Sequence, residues 1–566
     1  MGKYITGEAR GQLVLFSESI EERISEDNAV RVIDMYVESI NLEELGFKKV
    51  KPKNKGTNMY NPKDMLKLYI YGYKNGIRSS RKLARQCETN IEVIWLIKGI
   101  RPDFRTISEF RKENIKELKN VYKDMVIMCT KIGLIGEEYS QDGVKINAVN
   151  SKERNYTLNK IDEHIKRIEK KIEEYLKKME EIDREEEKEE KLVSKEELEE
   201  RIKIKKWKKE ELKRIRKEME EKKESQKSLT DEESRLMKNN GKFTMCYNNQ
   251  VVVDGKSHIV VNYKVDNNPA DIGSMKEVIK EAKETTGKGI VKNITDKGYN
   301  DRKDMGECLL EGIIPEVTLP EGKEYYEVEV EYEKKEITEE ERKSEKVEEI
   351  RKTIKAGKIP EVYKEYIKEV EIVEKKERKK IEIEETEENE EEERDRAIEK
   401  EIFVRDIKRN KVFCPQGETL RQKSETQQGI KNYCNKEACR GCKKPCTMSK
   451  YKVIGFGEGQ KESGKGKTEK ATRKKKETVK KVRIKLYPKK EDIKKRMGIS
   501  EHPHGTMKRS DNASYFLMRG KEKVNGEMAI YYMGYNIRRI INIVGTKKIL
   551  EILEKRIKGE KIEVIA

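Results

Sequence analysis

Seven apolar residues constrain this chain more than any other feature. Ile161, Ile165, Ile168, Ile172, Tyr175, Met179 and Ile182 follow one another at alternating steps of four and three. That spacing puts all seven along one side of an α-helix as a heptad seam, which needs a partner to cover it. After a break at Val193-Ser194, a second helical run through Leu198, Ile202, Trp207, Leu212, Ile215 and Met219 is at hand. We read residues 158–227 as a helical hairpin with a coiled-coil seam and solvated charged faces. Pairing with a second copy through the seam is the alternative.

The hairpin interrupts an α/β pattern. In EEYSQDGVKINAVN (137–150), Val144, Ile146 and Ala148 alternate with polar residues at the period of a strand. Beyond the hairpin, KFTMCYNNQVVVDGKSHIVVNYKV reads as two strands joined at Asp254-Gly255. A helix follows in DIGSMKEVIKEAKETTG, then a short strand ending at Asp296, a helix over 301–312 and a buried strand in GIIPEVTLP. The expected fold class is therefore α/β, a mixed sheet flanked by helices.

Residues 1–135 read as helical. PKDMLKLYIYGYK starts with a proline suited to a first helical turn, although Gly72 weakens the pattern. Ser79-Ser80 can cap RKLARQCE, and Thr106 can cap one long helix running to about residue 131. Arg78, Arg81, Lys82 and Arg85 lie in or just before a short helix. They fit either a DNA-reading helix-turn-helix or a bundle with a solvated basic face.

Beyond residue 320 the composition changes. Residues 321–402 are charged and of low complexity, and we read them as a solvated insertion. Residues 403–450 hold five of the nine cysteines, 451–483 form a Gly/Lys-rich linker, and 484–566 turn helical again, with His502 and His504 in a loop. Lys+Arg outnumber Asp+Glu by 128 to 109, a net charge of +19, which favours a polyanionic partner, nucleic acid above all. No apolar run is long enough to span a bilayer, and the first residues do not resemble a secretory signal, so a cytoplasmic, nucleoid-associated protein is expected. In a reducing compartment clustered cysteines point to metal before disulfide. Cys439, Cys442 and Cys446 give C-x2-C-x3-C, and Cys414 or Cys434 can complete a tetrahedral structural Zn²⁺ site. The alternative is reduced, unligated thiols.

Three carboxylates stand out by context: Asp142 opening a strand, Asp296 ending one, and Glu527 on a late helix. Acids so placed around one sheet can converge on Mg²⁺, for which Mn²⁺ can substitute. Asp254, Asp266, Asp271, Asp301 and Glu522 are nearby competitors.

These segments, in this order, resemble the DDE transposases of bacterial insertion sequences, mobile elements whose transposases have an RNase H-like catalytic core. MYNPKDMLKLYIYGYKNGIRSSRKLARQC with FRTISEFRKEN is similar to the N-terminal helical domain of one branch, and QDGVKINAVNS to its first catalytic strand. DEESRLMKNNGKFTMCYNNQVVVDGKSHIVV resembles the middle strands and NITDKGYND the second acid's motif. CPQG with CRGCKKPC resembles a Cys-rich insertion, and HPHGTMKR with YFLMRGKEKVNGEMAIYYMGYNIRRI the final block. The long charged stretches 158–227 and 321–400 depart from the family pattern.

The resemblance implies an N-terminal DNA-binding domain over 1–135 and a catalytic core split between 137–320 and 484–566. It implies Asp142, Asp296 and Glu527 as the acids that bind two Mg²⁺. The activity it implies is cleavage at the element's ends and strand transfer into target DNA. Expected partners are double-stranded DNA, terminal repeats and target alike, and a second copy, since two ends are handled together. Lys508, Arg519, Lys523, Asn536, Arg538 and Arg539 join Arg81, Lys82 and Arg85 as candidate DNA contacts. Lys523 and Glu527 are i, i+4 and Arg538 is eleven further on, which places them on one helical face. Two other functions stay open: a catalytically inactive DNA-binding repressor of its own element, and an RNase H-like nuclease that cuts without joining.

Overall fold

The computed structural model describes residues 19–51, 59–149, 155–184, 195–221, 226–239, 241–379, 383–386, 389–425, 430–442, 451–457, 475–509, 513–562 and 564. Helices dominate the N-terminal part. α1 (Pro62–Lys74) starts where the Asn61 side chain accepts the Lys63 N–H and Pro62 takes the first turn. Gly72 has a packing reason. A Cβ there would collide with the Leu83 side chain and the Ile77 carbonyl, so the glycine lets α2 (Ser80–Thr89) approach. The long helix expected after Thr106 is two helices, α3 (Phe104–Glu113) and α4 (Glu117–Lys131), and Asp103 caps the first. The break falls at buried Asn114, whose amide accepts the Lys48 N–H and donates to the Phe110 carbonyl.

The central sheet is built from β1 (Glu138–Asn147), β2 (Lys242–Asp254), β3 (Val260–Asp266), β4 (Val291–Thr295) and β5 (Ile313–Val317). Its order is β3-β2-β1-β4-β5, with Arg235–Asn239 pairing the first half of β2. β1, β4 and β5 run parallel, whereas β2 is antiparallel to both β1 and β3. Three antiparallel strands continued by two parallel ones, with helices against them, make an RNase H-like sheet.

Between β1 and β2 the chain leaves as a hairpin of α5 (Leu158–Arg184) and α6 (Lys195–Glu221). Ile161, Ile168, Leu212, Ile215 and Met219 close a small apolar cluster of their own. Trp207, expected in the seam, is 67% exposed instead. It lies five residues from both Ile202 and Leu212, a step that turns it off the seam. The Val193-Ser194 break lies outside the described residues, as do the side chains of Met179 and Ile182.

α7 (Met275–Thr286) and α8 (Arg302–Leu310) connect β3, β4 and β5. The expectation that 321–402 is solvated fails for its first half. Val328, Ile350, Tyr363 and Ile367 are buried in the main core. Tyr326–Glu331 and Ile367–Lys379 flank Lys475–Leu486 in a three-stranded antiparallel sheet, so part of the expected linker is strand as well. Alternating apolar residues hidden among many charges pack one face of this sheet. Six strands between Ile383 and Gly457 form a second sheet over Phe403, Val412, Leu420, Tyr433 and Ile454.

The chain returns through α9 (Lys490–Arg509) and α10 (Lys521–Val544). HPHG is therefore helical, with Pro503 inside α9, and not a loop. The N-terminal helices, the central sheet and α10 share one apolar core. Tyr122 of α4 illustrates the joint: its hydroxyl donates to the Val260 carbonyl and its ring packs on Tyr263 and Tyr532.

Candidate active site

β1 and β4 run side by side, with Ser140 opposite Ile294. Continuing that register by two residues sets Asp142 across from Asp296, at a strand spacing of about 5 Å. β4 stops at Thr295, and Asp296 caps the turn that follows by accepting the Gly298 N–H at 2.7 Å. Both carboxylates are half-buried at the carboxyl end of β4. Asp142 accepts the Gly143 N–H at 2.9 Å and lies 3.7 Å from Arg496. Burial pushes its carboxyl up to about 6, the Arg496 charge and the Gly143 N–H pull it down, and the charges of Asp296 and Asp271 add to the rise. Buried Tyr299 feels the same three acids, and its hydroxyl, whose ionisation burial opposes most, donates to Gln250.

Asp271 was weighed in the sequence only as a competitor. Its carboxylate accepts from the amides of Asn248 and Gln250 and fills the space a side chain at Gly143 would take. Gly143 follows Asp142 on a strand and faces the opposite side of the sheet.

α9 crosses the side that Asp142 faces. Asp492 and Lys495 meet Lys292 and Glu138 near the start of the strands, and Arg496 meets Asp142 further along. The next acid on this helix, in the same direction, is exposed Glu501. No sequence pattern singles it out, since HPHG reads locally as a loop. Glu501 lies five residues, about 7.5 Å of helix, beyond Arg496.

Glu527 is elsewhere. It is 2% exposed, and the charges nearest it are Arg111 and Arg78 of the helical domain. One carboxylate oxygen accepts the Leu517 and Met518 N–H groups at 3.0 and 3.1 Å; the other accepts the Tyr73 hydroxyl at 3.2 Å. Burial raises its carboxyl and the two arginines pull it back. The structure thus brings Asp142 and Asp296 together and does not bring Glu527 to them.

The expected DNA contacts divide in the same way. Arg81, Lys82 and Arg85 are exposed on α2. Arg81 and Arg105 both lie over the Phe104 ring, at 5.0 and 5.7 Å, beside a cleft that Ser79 and Lys112 also line. Arg519 and Lys523 are exposed too. Asn536 is not available to DNA, because it is fully buried and its amide bonds both the N–H and the carbonyl of Val260. Arg538 donates to the Lys74 carbonyl and Arg539 to Ser257, so both brace the fold. The Lys508 side chain lies outside the described residues. His502 bonds the Tyr535 hydroxyl at 2.8 Å and packs edge-on against His258.

Among the described residues, no three His, Cys, Asp or Glu side chains stand as a ready metal-binding group. The donors fit the expected ions in kind: Asp142 and Asp296 offer hard oxygens, and neighbouring carboxylates raise Asp142 as a divalent cation would relieve. In the insertion the charges of Cys442 and Cys439 are felt at Cys414. Cys414 accepts the Gln416 N–H and Cys439 the Lys452 N–H, bonds that suit thiolate ligands. Cys434 ends the strand just before the short helix that carries Cys439, and Cys446 lies outside the described residues. No described helix is long and apolar enough to cross a membrane.

Comparison with known proteins places the same two regions. Residues 18–113 match a family model described as Transposase domain (DUF772), and residues 413–541 match one described as Transposase DDE domain. No curated protein and no solved structure matches the chain. With both family regions present in order around an RNase H-like sheet, the chain is similar to the DDE transposases of insertion-sequence type.

Proposed function

We propose that this transposase cleaves DNA at the ends of its element and joins the released 3′-hydroxyl to target DNA. The observation that carries the proposal is the parallel register of β1 and β4, which sets Asp142 across from Asp296 just beyond the end of β4. These two residues would hold the divalent cations, Mg²⁺ or Mn²⁺. When bound there, the cations supply Lewis acidity for the attacking and leaving oxygens. Glu501, exposed and the next acid along the helix that carries Arg496 to Asp142, is the third carboxylate we assign to them. Water attacks the phosphorus at the element's end and the 3′-oxygen leaves as a hydroxyl. That hydroxyl then attacks a target phosphodiester, and the target's own 3′-oxygen leaves. No bond to the protein forms.

Arg81, Lys82 and Arg85, with Arg105 and Lys112 beside them, are the cations we assign to duplex phosphates. None of the five forms an ion pair among the described residues. Cys414, Cys439 and Cys442, with Cys434 or Cys446, would hold a structural Zn²⁺ that staples the insertion. A dimer on DNA would handle the two ends together.

The test is cleavage of labelled duplexes from the DNA flanking the gene, with Mg²⁺ or Mn²⁺, for the wild type and Asp296→Ala. Specific nicks and joined products that vanish in the variant are expected. Undiminished cleavage by Asp296→Ala would overturn the assignment. Nicks without joined products would leave a nuclease.

A further inference from the structure

Glu527 lies where the helical domain meets the core, among donors that come from both. Tyr73 lies in the last turn of α1, Arg78 immediately precedes the α2 cap, and Arg111 lies on α3. Arg111 donates to the Tyr73 hydroxyl at 2.9 Å, and that hydroxyl donates on to Glu527. Arg78 stands 3.6 Å from Glu527, donates to the Tyr515 carbonyl at 2.7 Å and lies over the Tyr515 ring. The segment beside Tyr515 is tied to the end of β1: Phe516 donates to the Asn147 carbonyl, and Asn147 donates to Ser514. Asn147 is the last residue of the strand that carries Asp142.

The seam around this cluster is built for close approach. A Cβ at Gly526, next to Glu527, would collide with the Ile115 carbonyl and side chain. Two turns on, a Cβ at Gly534 would lie 2.9 Å from the Lys74 nitrogen. Glycine at both places lets the backbone of the helical domain rest on α10. Both carboxylate oxygens of Glu527 already accept hydrogen bonds. A cation arriving there would have to displace backbone N–H groups and face two guanidinium charges.

We propose that Glu527 is not one of the metal-holding acids but a positioning residue. It clasps Arg78, Arg111 and Tyr73, and so fixes where DNA held by the helical domain crosses Asp142 and Asp296. The proposal rests on the transposase function above. In it, Arg81, Lys82 and Arg85 hold the duplex, Arg78 anchors the start of their helix, and Glu527 sets that anchor against β1. The clasp thereby sets the distance from the bound sequence to the cut.

Two measurements on the full-length protein test it: Mn²⁺ binding followed by electron paramagnetic resonance, and nick positions on an end-labelled duplex. Glu527→Gln should bind Mn²⁺ within about twofold of the wild type, whereas Asp142→Asn should lose about tenfold or more, the range seen when metal sites are disturbed. The nicks of Glu527→Gln should spread from one phosphate to its neighbours. A loss of folded protein lowers the yield of nicks but does not move them. Arg78→Lys keeps the charge and loses the reach to Tyr515; it should spread the nicks too, and it carries the test if Glu527→Gln does not fold. Mn²⁺ affinity falling as far in Glu527→Gln as in Asp142→Asn would overturn the proposal, as would unmoved nicks in both clasp variants. Wild-type Mn²⁺ affinity in Asp142→Asn would instead strike at the metal assignment of Asp142, and the nick positions would still judge the clasp.

Discussion

Asp142 holds its proton to a higher pH in the folded chain than in the unfolded one, from an ordinary 3.8 up to about 6, chiefly because it is buried. The stability it contributes is therefore largest below about pH 4 and is lost as pH rises from there through about 6. A shift of this size corresponds to on the order of 2–3 kcal/mol. In metal-free protein, Asp142→Asn should melt at a higher temperature than the wild type near pH 7, and the gain should shrink toward zero below about pH 4. Thermal melts in chelator across that range decide it; a gain that does not vary with pH would mean packing, not charge, is responsible. At this scale the sequence was informative about the two aspartates, since a period-two pattern sets one on a strand and the other at a strand end, although Asp142 lies in the middle of β1 and does not open it. It was less informative about the glutamates. That Glu527 is kept from the aspartates depends on which helix crosses β1, and no local pattern carries that.

The hairpin is the element most nearly independent of the rest. Its apolar cluster is separate from the main core, and Asn155–Tyr156 pairs with Lys227–Ser228 at its base. Ile161→Asp puts a charge at the fully buried first position of the seam. It should melt α5 and α6, with a fall in helical circular dichroism, while slow amide exchange in β1, β2 and β4 persists. Joint loss of both signals would mean that the hairpin supports the sheet. Here the heptad spacing was sufficient, because a coiled-coil seam depends only on neighbours along the helix. α9 is the opposite case. Proline and paired histidines read locally as a loop, yet Pro503 stays within the helix, where packing outweighs its missing hydrogen bond.

Across the whole molecule, the helical domain and the sheet share one core, and the Glu527 cluster lies at their joint. Arg111→Ala leaves a buried carboxylate and hydroxyl short of a partner, a change that typically costs about 3–5 kcal/mol. It should lower the melting temperature as a single transition followed equally by helix and sheet signals. Two separated transitions would show that the parts fold apart. Residues 326–373 and 475–486 belong to the same lesson. Their charges outnumber their apolar residues, so composition reads as solvent, but the pairing of distant strands turns the alternate Val and Ile side chains onto one buried face. Legible in residue type and spacing alone were the hairpin, the strands of the central sheet, the order of the motifs, the positive charge and the two aspartates, because each is a local pattern. The tertiary contacts alone set Glu527 apart from the aspartates, made Asn536, Arg538 and Arg539 braces of the fold, and clasped Glu527 with arginines more than four hundred residues away. Those outcomes depend on which surfaces meet, and a contact between distant segments leaves no mark on the spacing within either.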